Sequence, residues 1–303
     1  MGEIKTPVYE LIVPSTGMTV FARPYSVGEE KVLAMAGESE DQSSIITAVK
    51  RLVQACTDLD VDALTMFDLE YMFIHIRAKA VGEVSKIKVM CSDESCGTYN
   101  DVSLDLSKTS LVKAASPDAA NTIQLSPDVE LELGYITVGA FNRFQVGKNY
   151  DPTTLETLTK MIACTIVSIN SIKSTEYTIA DILTFVESFS RDHIDMIRKF
   201  IDTIPSVQTT IEFKCRKCKK PTKIVVTGIA AFFKVAMAHM SLINYYKENF
   251  SMMQYHGYSL TELEAMLPWE REIYVALLSE HIIKENKRIE EENARVKSAS
   301  RGR

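Results

Sequence analysis

Two short stretches of paired cysteines constrain this chain more than anything else in it. The first is Cys91-Ser92-Asp93-Glu94-Ser95-Cys96-Gly97, entered by Lys86-Ile87-Lys88-Val89-Met90 and left by a β-type run over 99–106. The second is Cys215-Arg216-Lys217-Cys218, entered by Ile211-Glu212-Phe213-Lys214 and left by a run over 222–227. Each reads as a β-hairpin with two thiols at its tip. Four thiolates are the tetrahedral donor set of a structural zinc. The pattern therefore predicts that Cys91, Cys96, Cys215 and Cys218 share one zinc ion. CxxC is a good metal knuckle, whereas CxxxxC is looser and no glycine follows the second pair as Gly97 follows the first. The alternative is two hairpins with reduced, unliganded cysteines. Because the pairs lie far apart, the residues between them must fold as an insertion. The hairpins, at 86–106 and 209–227, then form a zinc-ribbon-like element that pins the two halves of the chain together.

A pin needs a body to hold. The chain has 303 residues, 46% hydrophobic and 24% charged, which is ordinary for a globular protein with a real core. Its formal charge of -6 does not mark it as a polyanion binder. Of six cysteines, Cys56 and Cys164 sit in apolar helical runs and read as core residues. Met1-Gly2-Glu3-Ile4-Lys5 opens no apolar secretory segment. The most apolar run, 224–246, carries Lys234 and His239 near its centre and reads as a buried helix rather than a membrane span. These features point to a reducing, cytosolic setting and away from a disulfide within either pair.

Local signals fill in the body. Pro14-Ser15-Thr16-Gly17 carries turn chemistry between β-type runs at 9–13 and 18–23. Ser26 and Glu29 make a capping box, and Thr65 with Asp68 caps a later helix. Ile45, Ile46, Val49, Leu52, Val53 and Cys56 recur at helical period over 43–56. Short strands are expected around Ile123 to Leu133, with Pro127-Asp128 as a turn. Asp151 and Pro152 are read as N-cap and first residue of a helix running through Ile166 to Ile169. Thr178 and Ser190 cap two more helices. Gly228 is expected to open one apolar helix reaching Ile243, and Ser259 with Glu262 forms another capping box. A final helix starts near Pro268, becomes almost wholly polar from Lys284, and is expected to dissolve after Lys297. No Gly/Ser-rich linker divides the chain. The fold class expected is α+β: a mainly helical body with short hairpins, the zinc-ribbon-like element, and a C-terminal helical arm. The division expected is a composite core over 1–250 and a C-terminal region over 251–303 that ends in a charged, partly disordered tail.

Candidate chemistry is sparse. The histidines are scattered, with none at metal or general-base spacing, and no phosphate-binding glycine motif is present. The chain is therefore expected not to be an enzyme. Lys214, Arg216, Lys217, Lys219, Lys220 and Lys223 surround the second pair, while Asp93 and Glu94 lie in the first. A zinc-ribbon nucleic-acid-binding protein is the competing reading. Opposed charge on two tips that attract each other explains the same residues and disfavours nucleic acid as a partner.

The order of several blocks is familiar: Pro14-Ser15-Thr16-Gly17, Arg23-Pro24, Glu29-Glu30-Lys31, Phe67-Asp68-Leu69-Glu70-Tyr71, and Arg77-Ala78-Lys79-Ala80-Val81-Gly82-Glu83 before the two knuckles. Over about 13–233 the chain resembles the baseplate hub protein family of T4-like tailed phages. The run Pro268-Trp269-Glu270-Arg271-Glu272 resembles the end of tail-assembly proteins that act with a tape-measure protein. The resemblance implies a non-enzymatic role in building the baseplate hub, as an assembly chaperone or as a permanent structural component. It implies hub and tape-measure proteins as partners. It places the protein in the host cytoplasm during assembly, and in the virion tail if it is retained there. Self-association is left open.

Overall fold

Turn chemistry and capping set the first third of the chain. In the computed structural model, which describes residues 7–39, 41–112 and 121–301, β1 (Tyr9–Ile12) and β2 (Thr19–Ala22) pair antiparallel. Gly17, with φ +70°, lets the turn between them close. Three helices follow: α1 (Val27–Glu38), α2 (Gln42–Cys56) and α3 (Met66–Ala80). Complete capping boxes start α1 at Ser26/Glu29 and α3 at Thr65/Asp68. The apolar stripe expected on α2 is buried from Ile45 to Cys56. It packs with Leu33, Leu69, Met72, Phe73 and Ile76 into a core closed from the far end of the sequence by Phe232 and Phe233. Phe73 and Phe233 stack with centroids 6.0 Å apart.

The first knuckle hairpin is β3 (Val84–Met90) with β4 (Tyr99–Asp105). A 3-10 turn at Leu106–Lys108 then leads to β5 (Ser110–Val112). The insertion holds a four-stranded antiparallel sheet of β6 (Thr122–Ser126), β7 (Val129–Leu133), β8 (Ile166–Ile169) and β9 (Ile172–Lys173). Its helices are α4 (Val138–Arg143), α5 (Leu155–Thr165), α6 (Ile179–Glu187) and α7 (Arg191–Ile201). The second knuckle hairpin is β10 (Ser206–Lys214) with β11 (Pro221–Thr227). β5 pairs with β10, so the chain leaves and re-enters the knuckle region through adjacent strands. The C-terminal helices are α8 (Ile229–Ala236), α9 (Leu242–His256), α10 (Leu260–Ala265) and α11 (Pro268–Arg301). The fold is α+β, a mainly helical body with short hairpins and a long C-terminal helical arm.

Several local expectations need correction. Asp151 is not an N-cap: its carboxylate accepts from Thr153 N (2.9 Å) and Oγ1 (2.6 Å) in a local turn, and Thr154 caps α5 instead. The same helix stops at Thr165 because Ile166-Val167-Ser168-Ile169, rich in β-branched residues, pairs with β7 as a strand. α4, capped by Thr137, and β9 were not foreseen. The apolar helix expected from Gly228 to Ile243 is two helices, because Ser241 accepts from Asn244 N and starts a new one. α9 then runs through residue 250, where the sequence reading placed a division, and ends at Gly257 with φ +74°. α11 keeps helical backbone to Arg301, beyond the Lys297 at which composition suggested it would dissolve.

The blocks that carry the family resemblance are joints of this body. The Asp68 carboxylate, fully buried, accepts from Ser15 N and Oγ at 2.9 and 2.6 Å and from Thr65 N and Oγ1 at 3.1 and 2.6 Å. It therefore ties the β1–β2 turn to the start of α3. Arg23 forks onto both carboxylate oxygens of Glu29. Buried Arg77 donates to Ala236 O (3.1 Å), Gly82 O (2.6 Å) and His239 Nδ1 (3.4 Å), while His239 Nε2 lies 2.8 Å from Glu30 Oε1. His239 Nδ1 also lies 3.1 Å from Ala236 O, so both ring nitrogens have partners within the body and the residue is structural.

Candidate metal centre

Alternation of side chains in β3 and β4, and again in β10 and β11, brings four thiols to two hairpin tips. Each tip is closed by the same pair of devices. Cys91 N–H donates to Thr98 O (2.9 Å), and Cys215 N–H donates to Lys220 O (3.0 Å). The residue after the second cysteine of each pair adopts a left-handed conformation, Gly97 at φ +55° and Lys219 at φ +61°. The second knuckle thus makes the same turn without the glycine, and Lys219 bears the conformational cost.

The tips face each other. Cys91 Sγ lies 3.6 Å from Cys218 Sγ, and Cys96 Sγ lies 3.7 Å from Cys215 Sγ. All four sulfurs lie within 4.8 Å of one another. A zinc ion with bonds of about 2.3 Å to a regular tetrahedron of sulfurs sets neighbouring sulfurs about 3.8 Å apart. Disulfide-bonded sulfurs sit about 2.05 Å apart, so the spacing matches metal ligands and not a cystine. Cys91 and Cys215 are buried, and Cys96 and Cys218 are partly so. The cluster is geometrically consistent with a structural zinc site.

Charge and hydrogen bonding favour thiolate there. The backbone N–H groups of Cys218 and Lys217 donate to Cys215 Sγ and, against burial, bring that thiol down to about 6. The Lys220 amide pulls Cys218 the same way, but burial and the neighbouring sulfurs push it up to about 11. The Thr98 hydroxyl, against burial, also brings Cys96 down, so two of the four thiols are made more acidic and Cys218 less so; a bound cation would favour thiolate at all of them. Away from the cluster, burial raises Cys56 and Cys164 to about 12, as suits core thiols.

Contacts around the sulfurs lock the two tips. Lys220 pairs with Asp93 across the gap, and with Ser95 this holds the Asp93 carboxyl down at about 2. Lys223 pairs with Glu212 at 2.9 Å. Part of the basic cluster is thus neutralised within the element, as the opposed charges of the two stretches led us to expect. Ser92 Oγ meets Thr222 Oγ1 at 3.2 Å. Asn100, buried, accepts from Arg216 N (2.8 Å), donates to Thr98 O (3.0 Å), and lies 3.8 Å from Cys215 Sγ. Sequence reasoning missed Asn100. Its only signal was a polar residue inside a strand, four positions after Cys96.

Comparison with known proteins identifies a family. The family described as T4 bacteriophage base plate protein matches residues 6–234. The chain belongs to this family. Neither a curated protein nor a solved structure matches it significantly. As a base plate protein it stands in a structural family, consistent with a non-catalytic chain and with a place in phage tail assembly. The matched span takes in both knuckles, agrees with the 13–233 of the sequence resemblance, and stops within α8. Among the described residues no helix is long and apolar enough to cross a membrane.

Proposed function

We propose that this base plate protein is a hub assembly factor that acts with the hub and tape-measure proteins of the tail. One observation carries the reading. Beyond the family-matched span, the helices of the C-terminal region carry large apolar side chains in solvent. On α9 these include Ile243, Tyr246, Phe250 and Met253; on α11 they include Ile273, Leu277 and Ile283. Exposed apolar surface of this extent marks a site that a partner covers. The family-matched body supplies the rigid support, and α9 to α11 supply the contact. Lys31 of α1 holds this region to the body by its ion pair to Glu264 at 2.5 Å, and within the region Arg271 joins α11 to α9 by its bond to Asn249 at 2.8 Å. The functional division therefore falls at Ser241, ahead of α9.

In the same reading Cys91, Cys96, Cys215 and Cys218 hold one structural zinc. They would be its only protein ligands, with the amides of Lys217 and Cys218 and the side chain of Asn100 around them. The ion supplies folding energy, not chemistry. The test pairs mass spectrometry of purified virions with a pull-down from infected cells. An assembly factor is captured with hub or tape-measure protein and is absent from virions. Stoichiometric presence in virions makes it a permanent hub component instead. Capture of neither protein contradicts both forms of the reading.

A further inference from the structure

The distal part of α11 repeats itself. Ile282-Ile283-Lys284-Glu285-Asn286-Lys287-Arg288 is followed by Ile289-Glu290-Glu291-Glu292-Asn293-Ala294-Arg295, so Ile-x-x-Glu-Asn-x-Arg occurs twice at a spacing of seven. Extended in both directions, the period puts Val275, Ile282, Ile289 and Val296 at one heptad position, a. It puts Leu278, Glu285 and Glu292 at the other seam position, d. This line continues the face on which α11 packs against the body, since Arg271 is buried and Val275 and Leu278 are half-buried. It then leaves the body: every described side chain over 279–295 except Glu285 is exposed. At 1.5 Å per residue, the stretch from 279 to 301 projects roughly 34 Å.

Seven-residue recurrence of a β-branched residue at a, with Leu278 at the first d, is the a line of a two-stranded parallel coiled coil, and Glu285 and Glu292 interrupt it at d. A second copy of this chain cannot be the other strand. Parallel pairing would set Glu285 and Glu292 against their own copies inside the seam, and like charges there repel. Antiparallel pairing would set Arg288 and its heptad equivalent Arg295 against each other. Among the described residues Glu285 is paired with Arg288, at 2.8 Å, at the edge of the seam.

We propose that the α11 arm is one strand of a parallel heteromeric coiled coil. Its partner is a helix of another protein with apolar residues opposite Ile282 and Ile289, and lysine or arginine opposite Glu285 and Glu292. The two glutamates reject self-pairing and select a basic seam. This inference rests on the seam of the arm, a different line of α11 from Ile273, Leu277 and Ile283, and its test does not depend on the hub role.

The probes are two synthetic four-heptad peptides with isoleucine at a and glutamate at e, one carrying lysine and the other glutamate at d. Binding to the full-length protein is measured by calorimetry, and self-association by analytical ultracentrifugation. The wild-type protein is expected to be monomeric through the arm and to bind the lysine peptide at least tenfold more tightly than the glutamate peptide. Glu285→Lys with Glu292→Lys should reverse that preference. Glu285→Leu with Glu292→Leu should make the protein dimerise, whereas Lys287→Leu with Ala294→Leu, off the seam, should not. Binding of neither peptide, equal binding of both, or a wild-type dimer abolished by deleting residues 284–303 would overturn the proposal.

Discussion

Replacing Asp68 with alanine tests whether the blocks behind the family resemblance are joints of the body. The carboxylate receives four hydrogen bonds, two from Ser15 and two from Thr65, and is fully buried. Ser15 lies in an exposed turn, so after truncation its donors can swing to water. Thr65 is buried and its backbone N–H has no such exit. Loss of the capping box costs about 1 kcal/mol, and loss of charged hydrogen bonds with an orphaned donor adds about 2–4 kcal/mol. The sum, about 3–5 kcal/mol, corresponds to a fall of roughly 10 °C in Tm for a body of this size. Asp68→Asn should lie between, since its amide group turns a donor toward donors. In the wild-type background Ser15→Ala should cost about 1 kcal/mol, and in the Asp68→Ala background nothing further. Urea unfolding followed by circular dichroism measures the four variants beside wild type. If Asp68→Ala falls within 1 kcal/mol of wild type, or Ser15→Ala costs the same in both backgrounds, the carboxylate is not the tie described here.

Other expectations follow from single groups. Burial raises the Glu70 carboxyl from its ordinary 4.5 to about 7, although the Ile229 N–H it accepts pulls the other way. Because the folded value lies above the unfolded one, this contribution is complete below pH 4.5 and is lost as pH rises through 7. Glu70→Gln should flatten that slope and leave the protein about 1–2 kcal/mol more stable than wild type at pH 8, after discounting for partial exposure; unchanged slopes in melts from pH 5 to 8 would count against the assignment. Arg77→Met should lose about 3–5 kcal/mol, because it leaves carbonyls of Gly82 and Ala236 and the buried Glu30 without their cation; a stability equal to wild type by urea titration would refute this. Alkylation at pH 7.5 read by peptide mass spectrometry should leave all six cysteines unmodified in zinc-loaded protein and, after chelation, modify first Cys96 and Cys218, the two knuckle thiols that are only partly buried. Labelling of Cys56 or Cys164 in the folded chelated protein would show that burial does not protect them.

Signals that act within a few residues were legible in the sequence. The Ser26, Thr65, Thr178, Ser190 and Ser259 caps all form, because a side chain and an amide three residues apart need no tertiary help. The four cysteines were legible for a different reason: thiols at paired spacing on two hairpin tips have few other uses. What failed depended on partners remote in sequence. Ile166 to Ile169 continue an apolar spacing that suits a helix, and pairing with β7 across the sheet, favoured by their β-branched side chains, decides for the strand. Asp151 had the right residue type for a cap but found Thr153 first. The run over 224–246 reads as a buried helix, yet Ile243 and Tyr246 at its end are exposed on α9, since amphipathic spacing shows that a face will be covered but not by which molecule. Asn100 was invisible, because its importance lies in Arg216, on the other hairpin.

The four-cysteine pin is the claim on which the rest of the architecture hangs, and zinc stoichiometry tests it directly. Protein expressed with ample zinc and purified under reducing conditions is analysed by inductively coupled plasma mass spectrometry, alongside Cys215→Ser and the control Cys164→Ser. The account predicts one zinc per chain in the wild type and in Cys164→Ser, and loss of most of that zinc, with a lowered Tm, in Cys215→Ser. Wild-type protein that is folded and free of zinc, or zinc content unaffected by Cys215→Ser, would contradict it.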